Sequence, residues 1–240
     1  MGDRLPHGRA RSGGPARTMR TGAERIAFIR ANTRVHPVPH APEIRLHLAD
    51  EAMELWQKTE AELEEMNLPP PFWAFAWAGG QALARYLLDH RETVAGRHVL
   101  DFATGSGLAA IAAAIAGAAR VTACDIDAHA QSATELNAAL NRTELEILHA
   151  DLLTQAPPPV DVIMCGDVFY EEPMAARVLP WLEQACRLGT RVLVGDPGRT
   201  YLPRERLRLL ATYDVEVNRS LEDLSVKRTS VFDLLAPDAT

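Results

Sequence analysis

The sequence predicts an α/β fold: a parallel sheet wound on both faces by helices and closed by an antiparallel hairpin. Two patterns predict it. From residue 98 onward, short β-rich apolar runs (98–102, 120–124, 144–149, 160–165 and 190–195) alternate with helical stretches near 107–117, 128–141 and 173–187. Such alternation calls for crossover connections, and therefore for parallel strands covered on both faces. The last two runs, 212–218 and 228–235, follow one another with no clear helix between them, as a closing hairpin does.

A chain of 240 residues, 47% of them hydrophobic, can bury one full-sized core and excludes wholesale disorder. Residues 1–18 carry Gly, Pro and Arg with almost no acid and read as a disordered tail, although a mitochondrial transit peptide has the same look. Helix is expected over 20–32, followed by a Pro/His segment over 35–42. An amphipathic helix with an acidic outer face is expected over 50–66, N-capped by Asp50 and ended by Pro69-Pro70-Pro71. Residues 19–72 thus form an N-terminal helical extension capping the main domain, 73–240. A run of Arg and Leu over 204–209 reads as a solvated helix face.

The net charge of −7 is unevenly spread: residues 1–46 hold nine arginines against Asp3, Glu24 and Glu43, which leaves −13 for the remainder. Such a balance argues against nucleic acid as a partner. Cys124, Cys165 and Cys186 are too few and too scattered for a disulfide framework, and no stretch approaches the roughly 18 uncharged apolar residues of a membrane span. The expectation is a reducing compartment: cytoplasm in a bacterium, mitochondrial matrix in a eukaryote. His36, His40 and His47 share a segment without cysteine or acid partners at ligand spacing, so no metal site is expected.

The densest chemical signal is the segment from Val99 to Ala110, in which a strand runs through Asp101 and Thr104 into a Gly105-x-Gly107 turn and a helix of small residues. The glycines permit a sharp turn and a close backbone approach to a ligand. Ala110 replaces the third glycine of a dinucleotide fingerprint, and Asp101 would repel a pyrophosphate. A ligand bearing an ammonium group suits it, and S-adenosylmethionine bears one. Eighteen residues after Gly107 the second strand ends in Cys124-Asp125-Ile126-Asp127, placing Asp125 to accept ribose hydroxyls. Asp127 reads as the N-cap of the next helix. At the third strand's end, Asp151 is placed to accept from an adenine amino group, with Ile126 and Leu152 sandwiching the ring.

Asp101-x-x-x-Gly105-x-Gly107 with Asp125 and Asp151 resembles the seven-stranded (class I) S-adenosylmethionine-dependent methyltransferases over residues 73–235. The resemblance implies a Rossmann-like sheet of order 3-2-1-4-5-7-6 with strand seven antiparallel. The fourth strand ends in Gly166-Asp167-Val168-Phe169-Tyr170, and Asp167-x-x-Tyr170 resembles the acid-x-x-aromatic signature of the family 16 protein-lysine methyltransferases. A lysine acceptor must lose its proton, which takes about 4–5 kcal/mol at pH 7 from a reference pKa near 10.4. Asp167 is expected to catch and aim the lysine cation, with desolvation and the nearby sulfonium then favouring loss of its proton, and Tyr170 either lines the acceptor channel or packs at a helix start.

Ahead of the sheet, Phe72-Trp73-Ala74-Phe75-Ala76-Trp77-Ala78-Gly79-Gly80-Gln81 reads from composition as core or as an aromatic lid. This segment, with 28–33, 42–48 and Gly195-Asp196-Pro197-Gly198-Arg199, resembles the electron transfer flavoprotein beta subunit lysine methyltransferases over roughly 24–235. That resemblance implies the flavoprotein's beta subunit as substrate, S-adenosylmethionine as methyl donor (leaving S-adenosylhomocysteine) and a cofactor contact at Trp77. A monomer is expected. Arg199 reads either as a substrate contact or as a tie between strand and loop. Rival readings are a ribosomal protein as acceptor, a small-molecule acceptor, or a cofactor-binding interaction module without catalysis.

Overall fold

The computed structural model describes residues 21–50, 70–217 and 225–236. The tail expected over 1–18 and, apart from Asp50, the helix expected over 50–66 lie outside these residues. The N-terminal cap begins with α1 (Gly22–Asn32), held at its start by a capping box: Thr21 Oγ1 accepts from the Glu24 amide and the Glu24 carboxylate accepts from the Thr21 amide. An antiparallel hairpin follows, β1 (Arg34–Val38) and β2 (Ala41–Leu48). The prolines at 37 and 39 hid it in the sequence. A two-stranded hairpin tolerates proline because its strands are edges, and the register shifts at Pro37/Val38. Ala41, Ile44 and Leu46 are fully buried.

The main domain runs α2 (Ala78–Asp89), β3 (His98–Phe102), α3 (Leu108–Ile115), β4 (Arg120–Asp125), α4 (Ala128–Leu140), β5 (Glu146–His149), β6 (Val162–Gly166), α5 (Glu172–Arg187), β7 (Arg191–Asp196), β8 (Leu207–Glu216) and β9 (Val226–Leu234). Its sheet has the order β5-β4-β3-β6-β7-β9-β8. Counted within the sheet this is 3-2-1-4-5-7-6, and the seventh strand, β9, is antiparallel to both neighbours. Leu83, Ile111 and Met164 are fully buried in one face, and Phe169, Ile163 and Leu182 in the other. The run over 204–209 corrects its expected helix: a 3-10 turn (Arg204–Arg206) enters β8 at Leu207, opposite Leu234. Ladder pairing with β9 overrides the helical propensity of Arg and Leu. No described helix is long and apolar enough to cross a membrane.

The cap is tied to the main domain through two asparagines one turn apart, Asn137 on α4 and Asn141 at its C-cap. Asn141 accepts from the Arg45 amide (2.9 Å) and donates to its carbonyl (2.6 Å). Asn137, buried, accepts from the His47 amide (2.8 Å) and donates to the Ser106 carbonyl in the glycine turn (2.8 Å). The helix thereby supplies the partners that an adjacent strand would give the free edge of β2.

The start of α2 lies almost against the ends of β6 and β7, and glycines make this possible. A Cβ on Gly79 would stand 2.1 Å from the Gly195 carbonyl oxygen and 2.5 Å from the Asp167 carboxylate. One on Gly195 would stand 2.2 Å from the Gly79 oxygen. Gly80, the next residue, faces only the Leu108 side chain at 3.8 Å. Adjacent substitutions therefore have opposite expected effects. Gly79→Ala must separate helix from sheet and lowers stability by about 3 kcal/mol, whereas Gly80→Ala gains about 0.5–1 kcal/mol from reduced backbone entropy. Thermal denaturation checks this, with Gly79→Ala melting roughly 6–12 °C lower.

Candidate active site

A cavity of about 410 Å³ opens at the carboxyl ends of β3, β4 and β6, where the strand order reverses, in the size class of small-ligand sites. One wall is the glycine turn. Gly105 (φ +55°) has open space where a side chain would stand, and Gly107 (φ +82°) opens α3 at a point where a Cβ would meet Thr134 Cγ2 at 2.9 Å. Ala103 also takes a left-handed conformation (φ +56°), a local strain of the kind found at ligand clamps.

Asp101, 2% exposed, accepts from Thr104 Oγ1 (2.5 Å) and the Ala110 amide (3.0 Å) through one oxygen. Burial pushes its carboxyl up to about 7, with Asp125 adding to the rise and the two hydrogen bonds opposing it. Asp125 accepts from the Gly105 amide (2.9 Å) and the Asp127 amide (3.0 Å), and burial raises its carboxyl too. Asp127 caps α4 through the His129 amide (2.8 Å), as its position suggested. Beside Asp125, Ile126 is 66% exposed although apolar.

The opposite wall is the strap over 70–77. The Trp77 indole N–H donates to the Phe72 carbonyl (2.9 Å), and the Phe72 ring lies 5.8 Å from Trp77 and 5.7 Å from Tyr170. Trp73 is buried and stacks on His129 (6.1 Å, 15°), pinning the strap to α4. Of the two readings that composition left open, Trp73 satisfies both, buried against α4 yet lining the cavity, and Trp77 belongs to the wall.

At the far end Asp167 takes a left-handed backbone (φ +56°), and its carboxylate is held from two sides. One oxygen accepts from the Gly79 amide at the start of α2 (2.6 Å), the other from Arg199 Nε (3.1 Å) and Nη2 (2.7 Å). Arg199 Cζ stands 5.8 Å from the Trp77 ring centroid. Its backbone N–H and that of Gly198 donate to one oxygen of Asp196, both at 2.6 Å. The other Asp196 oxygen is buried without a hydrogen-bond partner, and burial, with Asp167 nearby, lifts that carboxyl to about 6. Tyr170 is shifted upward by burial and by Glu171.

Eight of the eleven expected site residues line the cavity: Trp77, Asp101, Thr104, Gly105, Asp125, Ile126, Asp167 and Tyr170. The other three do not. Gly107 shapes the turn behind it, Leu152 packs into the core, and Asp151 accepts from the Leu153 amide (3.0 Å) and from Arg177 (2.8 Å). The sequence reading missed the lining residue Met174, placed Phe72 only within a core-or-lid segment, and left Arg199 undecided. The Asp-Pro-Gly-Arg turn at the tip of β7 was the signal for Arg199.

The ribosomal protein L11 methyltransferase (PrmA) family model matches residues 81–168. The chain is 36% identical over 212 residues to the electron transfer flavoprotein beta subunit lysine methyltransferase of Xenopus laevis, covering 86% of this chain and 85% of that protein. The chain belongs to that family. Its Homo sapiens member is 41% identical over 179 residues, covering 72% of this chain and 66% of that protein. The crystal structure of Thermoplasma acidophilum 1320 superposes with a TM-score of 0.51 at 20% identity, over 66% of this chain and 91% of that one, and shows the shared fold.

The raised Asp101 carboxyl has a stability consequence. Unfolded, the group ionises near 3.9; folded, it keeps its proton to about 7. Its contribution is full below pH 4 and is lost as pH rises toward 7, by about 4 kcal/mol in all. Asp101→Asn removes this loss. Between pH 5 and pH 8 the stability of the variant relative to the wild type should rise by about 3 kcal/mol, read from denaturant unfolding at the two pH values.

Proposed function

We propose that this chain is an S-adenosylmethionine-dependent protein-lysine N-methyltransferase whose acceptor is the beta subunit of electron transfer flavoprotein. The observation that carries the reading is Asp101: a buried carboxyl on the cavity wall, destabilised in its ionised form by burial and by Asp125. A ligand's ammonium group supplies the missing counter-charge, and the open Gly105 turn, Asp125 for ribose hydroxyls and exposed Ile126 for an aromatic ring fit the rest of S-adenosylmethionine. Trp77 closes the opposite side. When bound, this cofactor supplies a methyl group activated by its sulfonium centre for in-line transfer to a nitrogen lone pair.

The protein's own contribution is placement and exclusion of water. Asp167, fixed by Gly79 and Arg199, is the hydrogen-bond acceptor that aims the substrate amine, and Tyr170, with Phe72, walls the channel through which a lysine side chain reaches it. Methyl transfer demands alignment more than a strong base, so a fixed acceptor suffices. The net charge of −7 suits a lysine-bearing protein segment and disfavours nucleic acid. A ribosomal-protein acceptor draws support from the match over residues 81–168, which holds Asp101, Asp125 and Asp167, but Tyr170 and Arg199 at the acceptor end lie beyond it.

Radiolabelled S-adenosylmethionine with purified electron transfer flavoprotein tests the reading. Label is expected on the beta subunit, and Asp167→Ala should lower its rate about 100-fold, the loss typical of a misplaced reactant. Label only on another band of a cell extract would replace the acceptor and keep the chemistry. Calorimetry gives a second check without turnover: near pH 6.5 cofactor binding should release a proton from Asp101, detected as a dependence of binding heat on buffer ionisation.

A further inference from the structure

Asp167 presents a problem for the chemistry proposed above. A free carboxylate at the acceptor end would hold a lysine as its ammonium, the form with no lone pair to accept a methyl group. The structure does not leave it free. Arg199 Nε and Nη2 both donate to one Asp167 oxygen, and the Gly79 amide donates to the other. Arg199 and Asp167 are both largely buried, so solvent screens the pair weakly. Arg199 is itself fixed: Asp196 holds its backbone N–H, and the guanidinium lies against the Trp77 ring.

The geometry points to Arg199 as a positioning residue that neutralises Asp167, so that the acceptor lysine is admitted as the neutral amine and its ammonium form is turned away. The inference rests on the lysine-methyltransferase reading. In this arrangement Asp167 keeps lone pairs with which to accept an N–H of the amine, while the guanidinium opposes a second positive charge beside it. The proton leaves the lysine to solvent before the amine docks. Other ionisable groups around the pair are Asp196 from β7, Tyr170 and Glu171 after β6, Asp125 and Asp101 across the cavity, and Arg204, whose guanidinium donates to the Gly198 carbonyl (3.2 Å). Of the groups named here, Arg199 alone is a cation on the cavity wall.

Two variants of the full chain separate this role from support of the loop. Arg199→Gln should shift the rising limb of the pH–rate profile upward by about one unit, because the unmasked carboxylate now stabilises the ammonium. Arg199→Lys keeps the charge, though not the fork, and should hold the limb at its wild-type position while lowering the maximal rate. The acceptor-independent readout is binding of n-butylammonium at pH 7 with S-adenosylhomocysteine present, followed by tryptophan fluorescence. Arg199→Gln should bind it about tenfold tighter than wild type while turning over more slowly, an opposition that a damaged loop cannot produce. Equal or weaker butylammonium binding overturns the inference whichever protein is the acceptor. So does a uniform loss of rate with the limb unmoved. Failure of the wild type to label the flavoprotein, with tighter butylammonium binding by Arg199→Gln, would instead overturn the acceptor assignment. Should Arg199→Gln not fold, an upward shift of the limb in Arg199→Lys overturns the inference and an unmoved limb sustains it.

Discussion

The Gly79 amide and the Asp167 carboxylate meet at 2.6 Å because no side chain stands between the start of α2 and the tip of β7. That contact orders one end of the cavity. It brings the positive end of a twelve-residue helix onto a carboxylate, and it steadies a left-handed backbone at a residue other than glycine. It leaves the second Asp167 oxygen as the place where the β7 loop attaches through Arg199. Loops from β6 and β7 and the start of α2 converge on one carboxyl group. Their relative positions are fixed there more tightly than any of the three segments could fix its own.

Near the glycine turn the cavity wall carries acids that lack counter-charges. Asp101 and Asp125 are each shifted upward by burial, and each has a neighbouring carboxylate that adds to the effect. Folding tolerates them because backbone amides supply part of the missing stabilisation. Acids held in this way are poised for a cationic ligand, since the ligand relieves a penalty already present in the free protein. The acceptor end is arranged differently. There the acid, Asp167, already has its cation, so one cavity favours positive charge at one end and discourages it at the other.

Much of this was legible in the sequence. Strands alternating with helices gave the fold class and the closing hairpin, whereas the sheet order was implied by the resemblance to class I methyltransferases. The glycine turn, Asp101 and Asp125 were legible because each has a local signal: a Gly-x-Gly turn, an acid inside the strand that leads into it, and an acid at the next strand's tip. The hairpin β1–β2 was not, since two prolines obscure its alternation and its edge partners sit on α4 about ninety residues away. Asp151 looked like its counterparts at the other strand ends, but Arg177 on α5 engages it, and a partner 26 residues distant leaves no local trace. Arg199 likewise meets Asp167 across 32 residues, a contact with no trace in the local sequence, and it both lines the cavity and ties the β7 loop.

Asn137 and Asn141 join the N-terminal hairpin to the same helix that supports the glycine turn, and the join depends on helical phase. Both must project from one side of α4 to reach Arg45 and His47, and Asn137 must also reach Ser106. Adding one residue between them would rotate one asparagine about 100° from the other and leave the edge of β2 without its partners. The four-residue interval is therefore a sequence constraint as firm as the glycine spacing. Unlike Gly105, the two asparagines lie off the cavity wall, so the interval would be inherited as a length rather than as a motif.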